Sequence, residues 1–227
     1  GLLERLVSAG QQAATSSNLQ TWSVIALQDP ERKAEAATIC GDQQFIRDAP
    51  LFLVFCADLA RLKSISDSIE QPGAGLDYLE MFLTGVIDAA LAAQNIAVAA
   101  ESEGLGICYV GAARNTPKAL SAHLKLPPRV FAVFGMAIGF PAPDDTSAVK
   151  PRLPQSAVLH HETYNPDAWE SAMVDYNTAM EVFNAMQNRT VRGDWAQHSA
   201  RRVGTAAALM GRDTLFETLR ELGFELR

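Results

Sequence analysis

Apolar positions recur along this chain in two rhythms, one spaced like a helix face and one in unbroken strand-like runs. Leu2-Leu3 with Leu6-Val7 predicts an opening helix that gives way between Thr15 and Asn18. Trp22-Ser23-Val24-Ile25-Ala26-Leu27, rich in β-branched and aromatic residues, predicts a strand that Pro30 ends. Pro30 to Cys40 is helical in composition and Gly41-Asp42 breaks it. Leu51-Phe52-Leu53-Val54-Phe55-Cys56 is almost continuously apolar, as a strand covered on both faces must be. The polar stretch from Arg61 to Gly75 reads as an excursion bordering a site.

A long helix is predicted from Asp77 to about Glu103, with Leu79, Phe82, Leu83, Val86, Ile87, Leu91, Ile96 and Val98 among many alanines. Such a helix packs against more than one neighbour. Gly104-Leu105-Gly106 ends it, Ile107 to Val110 is a short strand, and Asn115-Thr116-Pro117 opens another helix. Arg129 to Phe140 is a further strand, and the remainder is helical around the Lys150 segment.

The 48% hydrophobic share of the 227 residues supplies a sizeable core, and a net charge of -7 disfavours nucleic acid or an anionic membrane as partner. The best candidate for a membrane span, Tyr78 to Ala100, is interrupted by Glu80, Asp88, Gln94 and Asn95, so it is expected to be a buried helix instead. Cys40, Cys56 and Cys108 are widely separated and read as reduced, buried thiols, which implies a cytoplasmic setting. The opening run has no signal-peptide pattern.

Candidate chemistry concentrates in two segments. Ala14-Thr15-Ser16-Ser17-Asn18-Leu19-Gln20 offers hydroxyls, a carboxamide and a turn-prone backbone, and Lys150-Pro151-Arg152-Leu153-Pro154 sets two cations around a stiff proline. Together they suit a phosphorylated ligand. Alone, the first reads equally as a capping turn and the second as a solvated loop. His160-His161-Glu162 is not read as a metal site, because adjacent histidines on an extended segment point apart. Cys108 is expected to be an inert core thiol.

Those two segments, with Ala92-Ala93-Gln94-Asn95, Gly104-Leu105-Gly106, Tyr109-Val110-Gly111 and His161-Glu162-Thr163-Tyr164 in that order, make nearly the whole chain resemble the FMN-dependent nitroreductase family. It is most similar to the NADPH-preferring branch of oxygen-insensitive nitroreductases and flavin reductases. The resemblance implies an α+β fold, a central mixed but mainly antiparallel sheet flanked by helices, with the long helix at a homodimer interface holding two FMN molecules. It implies a single domain over 1–227, with 61–76 and 165–210 as excursions near the site.

The resemblance also implies roles. Lys150 and Arg152 would meet the FMN phosphate or ribityl side, and Ser16, Ser17 and Gln20 would contact FMN, the serines in the partner subunit. Gln43 would be an amide contact to the flavin, and the Tyr109 and Gly111 backbone would pass its reactive edge, Gly111 permitting close approach. Arg192, with Arg189 as the alternative, would bind the 2′-phosphate of NADPH. No protein acid, base or nucleophile is required, because the flavin carries a ping-pong reduction of nitroaromatics, quinones or flavins. A supplier of free reduced flavin and a silent FMN-binding dimer are the competing expectations. Two departures accompany the resemblance: the family's His-Arg-Ser-x-Arg phosphate cluster is expected upstream of Gly1, and Ala112 stands where a second glycine is common.

Overall fold

The computed structural model describes residues 1–227 as two units, residues 1–141 with 211–227, and residues 142–210. In chain order the first contains α1 (Leu2–Gln11), β1 (Trp22–Leu27), α2 (Pro30–Ile39), α3 (Gln44–Asp48), β2 (Leu51–Asp58), α4 (Ala60–Ser68), α5 (Leu79–Ser102), β3 (Gly106–Val110), α6 (Pro117–Leu124) and β4 (Val130–Gly139). The second holds α7 (Trp169–Met186) and α8 (Trp195–Arg202), after which α9 (Leu215–Glu221) belongs to the first again.

Four strands pair in the order β1-β2-β4-β3, and every pairing is antiparallel, so the sheet has no parallel component. The apolar run of β2 explains its central place. Leu51, Leu53, Phe55 and Ala57 join the core beneath α1 and α5, while Phe52, Val54 and Cys56 join a second core with α2, α3 and α6. Alternation puts successive side chains on opposite faces, and both faces are covered.

A bulge interrupts the β2–β4 register between Phe55 and Cys56, leaving Val133 unopposed. Its consequence is visible in the packing: Val133 and Phe134 both serve the α5 core, where strict alternation would have separated them. The Arg114 guanidinium donates to the Val133 carbonyl at this bulge.

The helix α5 is 24 residues long, with a stretch of mean hydropathy 1.5, and meets the length and composition of a membrane span. Here it lies against the sheet, with Gly85, Ala89, Ala93 and Ile96 buried. Close approach depends on small residues. A Cβ on Gly85 would stand 2.9 Å from the Ala57 Cβ, and one on Gly10 would stand 2.9 Å from Ile96 Cδ1. The outer face of α5 is different, with Leu79, Leu83, Ile87 and Leu91 each 45–57% exposed at intervals of four.

The polar stretch read as an excursion is largely helix. Asp58 accepts from the Arg61 backbone N–H (3.3 Å), which starts α4, and a 3₁₀ turn spans Ala74–Asp77. Arg129 then joins Leu76 and Asp77, donating to the Leu76 carbonyl (3.1 Å) and to Asp77 Oδ1 (2.6 Å). That hydrogen bond, with Arg227 and Lys63 nearby, holds the Asp77 carboxyl below the usual carboxylate range.

Candidate functional site

The Ala14–Gln20 loop is held from the inside of the protein. Asp88, in the middle of α5 and buried, accepts from the Ser16 N–H through Oδ1 (3.2 Å) and from both the Thr21 N–H (3.0 Å) and hydroxyl (2.7 Å) through Oδ2. Between these two anchors Ser17, Asn18 and Gln20 adopt φ of 49°, 56° and 54°. Left-handed backbone costs about 1–3 kcal/mol at a residue other than glycine, and asparagine tolerates it best. A loop pinned at both ends and strained between them takes its shape from the fold rather than from its own backbone preference. Arg61 closes its flank, donating to the Gln20 carbonyl (2.9 Å) and the Ser23 hydroxyl (2.8 Å). A cleft of about 620 Å³ opens there, bordered by Thr15, Asn18, Gln20, Trp22 and Arg61.

The turns that carry Gln43 and Gly111 meet elsewhere in the first unit. A Cβ on Gly41 would lie 3.8–3.9 Å from Ala112 Cβ, Asn115 Nδ2 and Gln43 Nε2, so the turn before α3 meets the turn after β3. Gln43 Nε2 donates to the Cys40 carbonyl (2.8 Å). At Gly111 a Cβ would meet Arg114 Nη2 at 3.7 Å and Arg212 Nη2 at 3.8 Å, ordinary contacts. Packing within the chain therefore does not demand glycine at this corner.

Two guanidiniums beside one backbone turn make the corner electropositive. Arg212 Nε donates to Asn115 Oδ1 (2.9 Å), and burial together with Arg212 lowers the pKa of Arg114. The ring of Tyr109 turns away from this corner: it packs edge-on to Phe134 (5.5 Å), and its hydroxyl reaches Gln94 Oε1 (3.4 Å) on α5. What Tyr109 brings to the corner is backbone.

Cys108 is exposed, contrary to the expected core thiol: it lies on β3, an edge strand, where Cys108 and Tyr109 are both left open to solvent on opposite faces of the sheet. Cys40 and Cys56 are buried as expected, and burial pushes their thiols up to about 11 and about 12.

Lys150, Arg152 and Arg192 belong to the second unit. Both strap cations are exposed, and Arg152 Nη1 folds back to the Lys150 carbonyl (3.0 Å). From α7 the Tyr176 hydroxyl donates to the Pro151 carbonyl (2.9 Å). A cavity of about 1180 Å³ is bordered by Lys150, Tyr176, Arg189, Asp194, Trp195 and His198. Arg189 thus reaches this cavity and Arg192 does not; the Arg192 carbonyl instead accepts from Arg201.

Sequence reasoning missed Asp88, Arg61, Arg114, Arg212 and Tyr176. A signal existed for Asp88 alone, an acid in the middle of an otherwise apolar helix. No cluster of metal-binding side chains forms, and the His160 ring lies tilted against Tyr164, their centroids 4.4 Å apart.

Residues 1–140 match the model of the nitroreductase family, and residues 150–227 that of the nitroreductase family C-terminal domain. The chain is 44% identical to the FMN reductase (NADPH) of Bacillus subtilis (strain 168), over 86% of this chain and 79% of that one. It is 40% identical to the Cr(VI) reductase of Pseudomonas sp. (strain G-1), over 88% of this chain and 81% of that one. Its backbone superposes on B. megaterium NfrA2 with a TM-score of 0.92 at 36% identity, covering 100% of this chain and 89% of that one.

Proposed function

Because this chain belongs to the nitroreductase family, we propose that it is an FMN-dependent oxidoreductase that uses NADPH to reduce nitroaromatics, quinones or flavins two electrons at a time. Beyond the family membership, one observation carries the reading: the residues assigned to the cofactor form donor sets that fit a phosphorylated ring ligand. The loop at Ser16–Gln20 is strained and anchored, the Gly111 corner has two guanidiniums beside an unencumbered backbone, and the 150–152 strap offers two exposed cations.

When bound, FMN would supply two-electron redox chemistry between NADPH and the oxidant. The protein binds and orients. Lys150 gives a phosphate a point charge, and Arg152, whose Nη1 is engaged on the Lys150 and Pro151 carbonyls while Nε and Nη2 stay available, gives it a planar fork. Ser16, Ser17 and Gln20 present polar groups, Gln43 an amide, and the Tyr109–Gly111 backbone a close approach to the ring. Arg114 and Arg212 stabilise negative charge that develops beside Gly111. Arg192 or Arg189 receives the 2′-phosphate of NADPH.

A homodimer is part of the reading. The exposed row Leu79, Leu83, Ile87 and Leu91 is an apolar stripe of the kind a second copy covers, which supports placing α5 at the interface. Unpaired Cys40, Cys56 and Cys108 support a reducing, cytoplasmic setting, and the net charge of -7 supports small molecules over nucleic acid or membrane as partners. Free flavin is favoured as the oxidant by the name of the Bacillus subtilis relative, an FMN reductase (NADPH).

The test is the absorption spectrum of the purified protein with FMN, mixed anaerobically with NADPH. Bleaching of the flavin bands is expected, followed by recovery on adding a nitroaromatic, a quinone or free flavin. Flavin bands that persist with NADPH, or a protein that never retains flavin, would overturn the assignment.

A further inference from the structure

In the second unit, two consecutive residues of α7 reach out to two other segments. Tyr176, 7% exposed, donates its hydroxyl to the Pro151 carbonyl (2.9 Å), and its ring stands edge-on to Trp195 at 5.0 Å and 84°. Asn177 receives the Ala196 N–H (3.2 Å) and donates to Asp194 Oδ2 (3.2 Å), while Asp194 Oδ1 caps α8 through the Gln197 N–H (2.8 Å). One turn of helix therefore holds both the 150–152 strap and the start of α8.

The strap is stiff along its length and undirected as a whole. Proline fixes φ at Pro151 and drives Lys150 to extended backbone, so the two cations keep their relation to each other. Nothing in that local stiffness says which way the pair faces. Arg152 bonds only within the strap, to the Lys150 carbonyl (3.0 Å) and at 3.5 Å to that of Pro151. The Tyr176 hydroxyl comes from outside, on a long helix, and lands on the carbonyl midway between the cations.

We infer that Tyr176 is a positioning residue for cofactor binding: through its hydrogen bond to the Pro151 carbonyl it aims Lys150 and Arg152 at the phosphate. This rests on the phosphate reading of those two cations. Tyr176 touches no reacting atom, so its effect is on flavin retention and vanishes when the cations it aims are gone.

Tyr176→Phe deletes the hydroxyl and keeps the ring on Trp195, so the fold is retained. The flavin-loaded protein, Tyr176→Phe, Lys150→Ala with Arg152→Ala, and the triple variant are each diluted, and released FMN is read from its fluorescence. Expected are FMN binding weaker by about 2- to 12-fold in Tyr176→Phe, kcat restored by excess FMN, and no further weakening in the triple variant. Wild-type retention in Tyr176→Phe beside release from the Lys150→Ala, Arg152→Ala protein overturns the inference and leaves the phosphate reading standing. Equal weakening by Tyr176→Phe with and without the cations also overturns it, because the tyrosine then acts other than through the strap. Wild-type retention without the two cations removes the phosphate reading, and the inference with it.

Discussion

Thr21 and Asp88 form a closed pair inside the first unit: the threonine gives both its N–H (3.0 Å) and its hydroxyl (2.7 Å) to one carboxylate oxygen, and both residues are at most 1% exposed. The second oxygen takes the Ser16 N–H, so a single acid on α5 sets both ends of the strained loop. Asp88→Asn keeps the shape and replaces one acceptor oxygen by a donor. Either Ser16 or Thr21 is then left facing an N–H, and stability is expected to fall by roughly 1–3 kcal/mol, the cost of a buried unsatisfied donor. Urea denaturation measures this, and flavin retention is expected to fall with it. A variant with wild-type stability would mean the loop holds itself.

Gly85 lies where α5 crosses the sheet. In Gly85→Ala the new methyl would sit 2.9 Å from the Ala57 Cβ and 3.2 Å from the Thr21 carbonyl oxygen, and neither neighbour is a flexible side-chain end. Overpacking costs about 1–3 kcal/mol. Better helix propensity returns up to about 1 kcal/mol. The expected result is a lower denaturation midpoint, with a net loss of up to about 2 kcal/mol; a raised midpoint would show that helix and sheet can part without cost.

The Arg129 hydrogen bond keeps Asp77 ionised to lower pH in the folded chain than in the unfolded one. A depressed acid stabilises the fold above its unfolded value near about 4, and the contribution is lost as pH falls through the lower folded value. Asp77→Asn lacks that contribution throughout. Its Tm is expected to be below wild type near neutrality and to fall less between about pH 5 and about pH 2. Parallel curves for the two proteins would place the acid sensitivity elsewhere.

Arg189 borders the large cavity of the second unit and Arg192 does not, although the motif pointed first to Arg192. Arg189→Ala is expected to raise KM for NADPH about tenfold or more, as loss of one charge-assisted hydrogen bond does, with KM for NADH little changed. Arg192→Ala run beside it decides between the two arginines. A selective effect in Arg192→Ala alone would return the role to that residue.

Much of the architecture was legible because helix and strand are written in local periodicity. The continuous apolar run at 51–56 read as a strand covered on both faces and is one, and α5 came within two residues of its expected start. The strained loop and the cationic strap were readable as segments, because serines, a proline and paired cations have chemistry of their own. The helix at Ala60–Ser68 was not, since a polar stretch with little apolar rhythm shows what steadies its first turn, the Asp58 contact to Arg61, only once the chain is folded.

Sequence by itself therefore determined the order and kind of most elements, though not the short helices α3 and α4, together with the covered central strand and the residue types suited to a phosphorylated flavin. Tertiary structure alone decided that β3 is an edge, which exposes Cys108, and that a bulge at Val133 hands its carbonyl to Arg114. It alone decided that Asp88 reaches back 67 and 72 residues to Thr21 and Ser16. The physical reason is range. Backbone preference and side-chain rhythm act over a few residues, whereas strand order, burial and the pairing of distant polar groups are settled by packing, where each buried donor must find an acceptor wherever the chain happens to bring one.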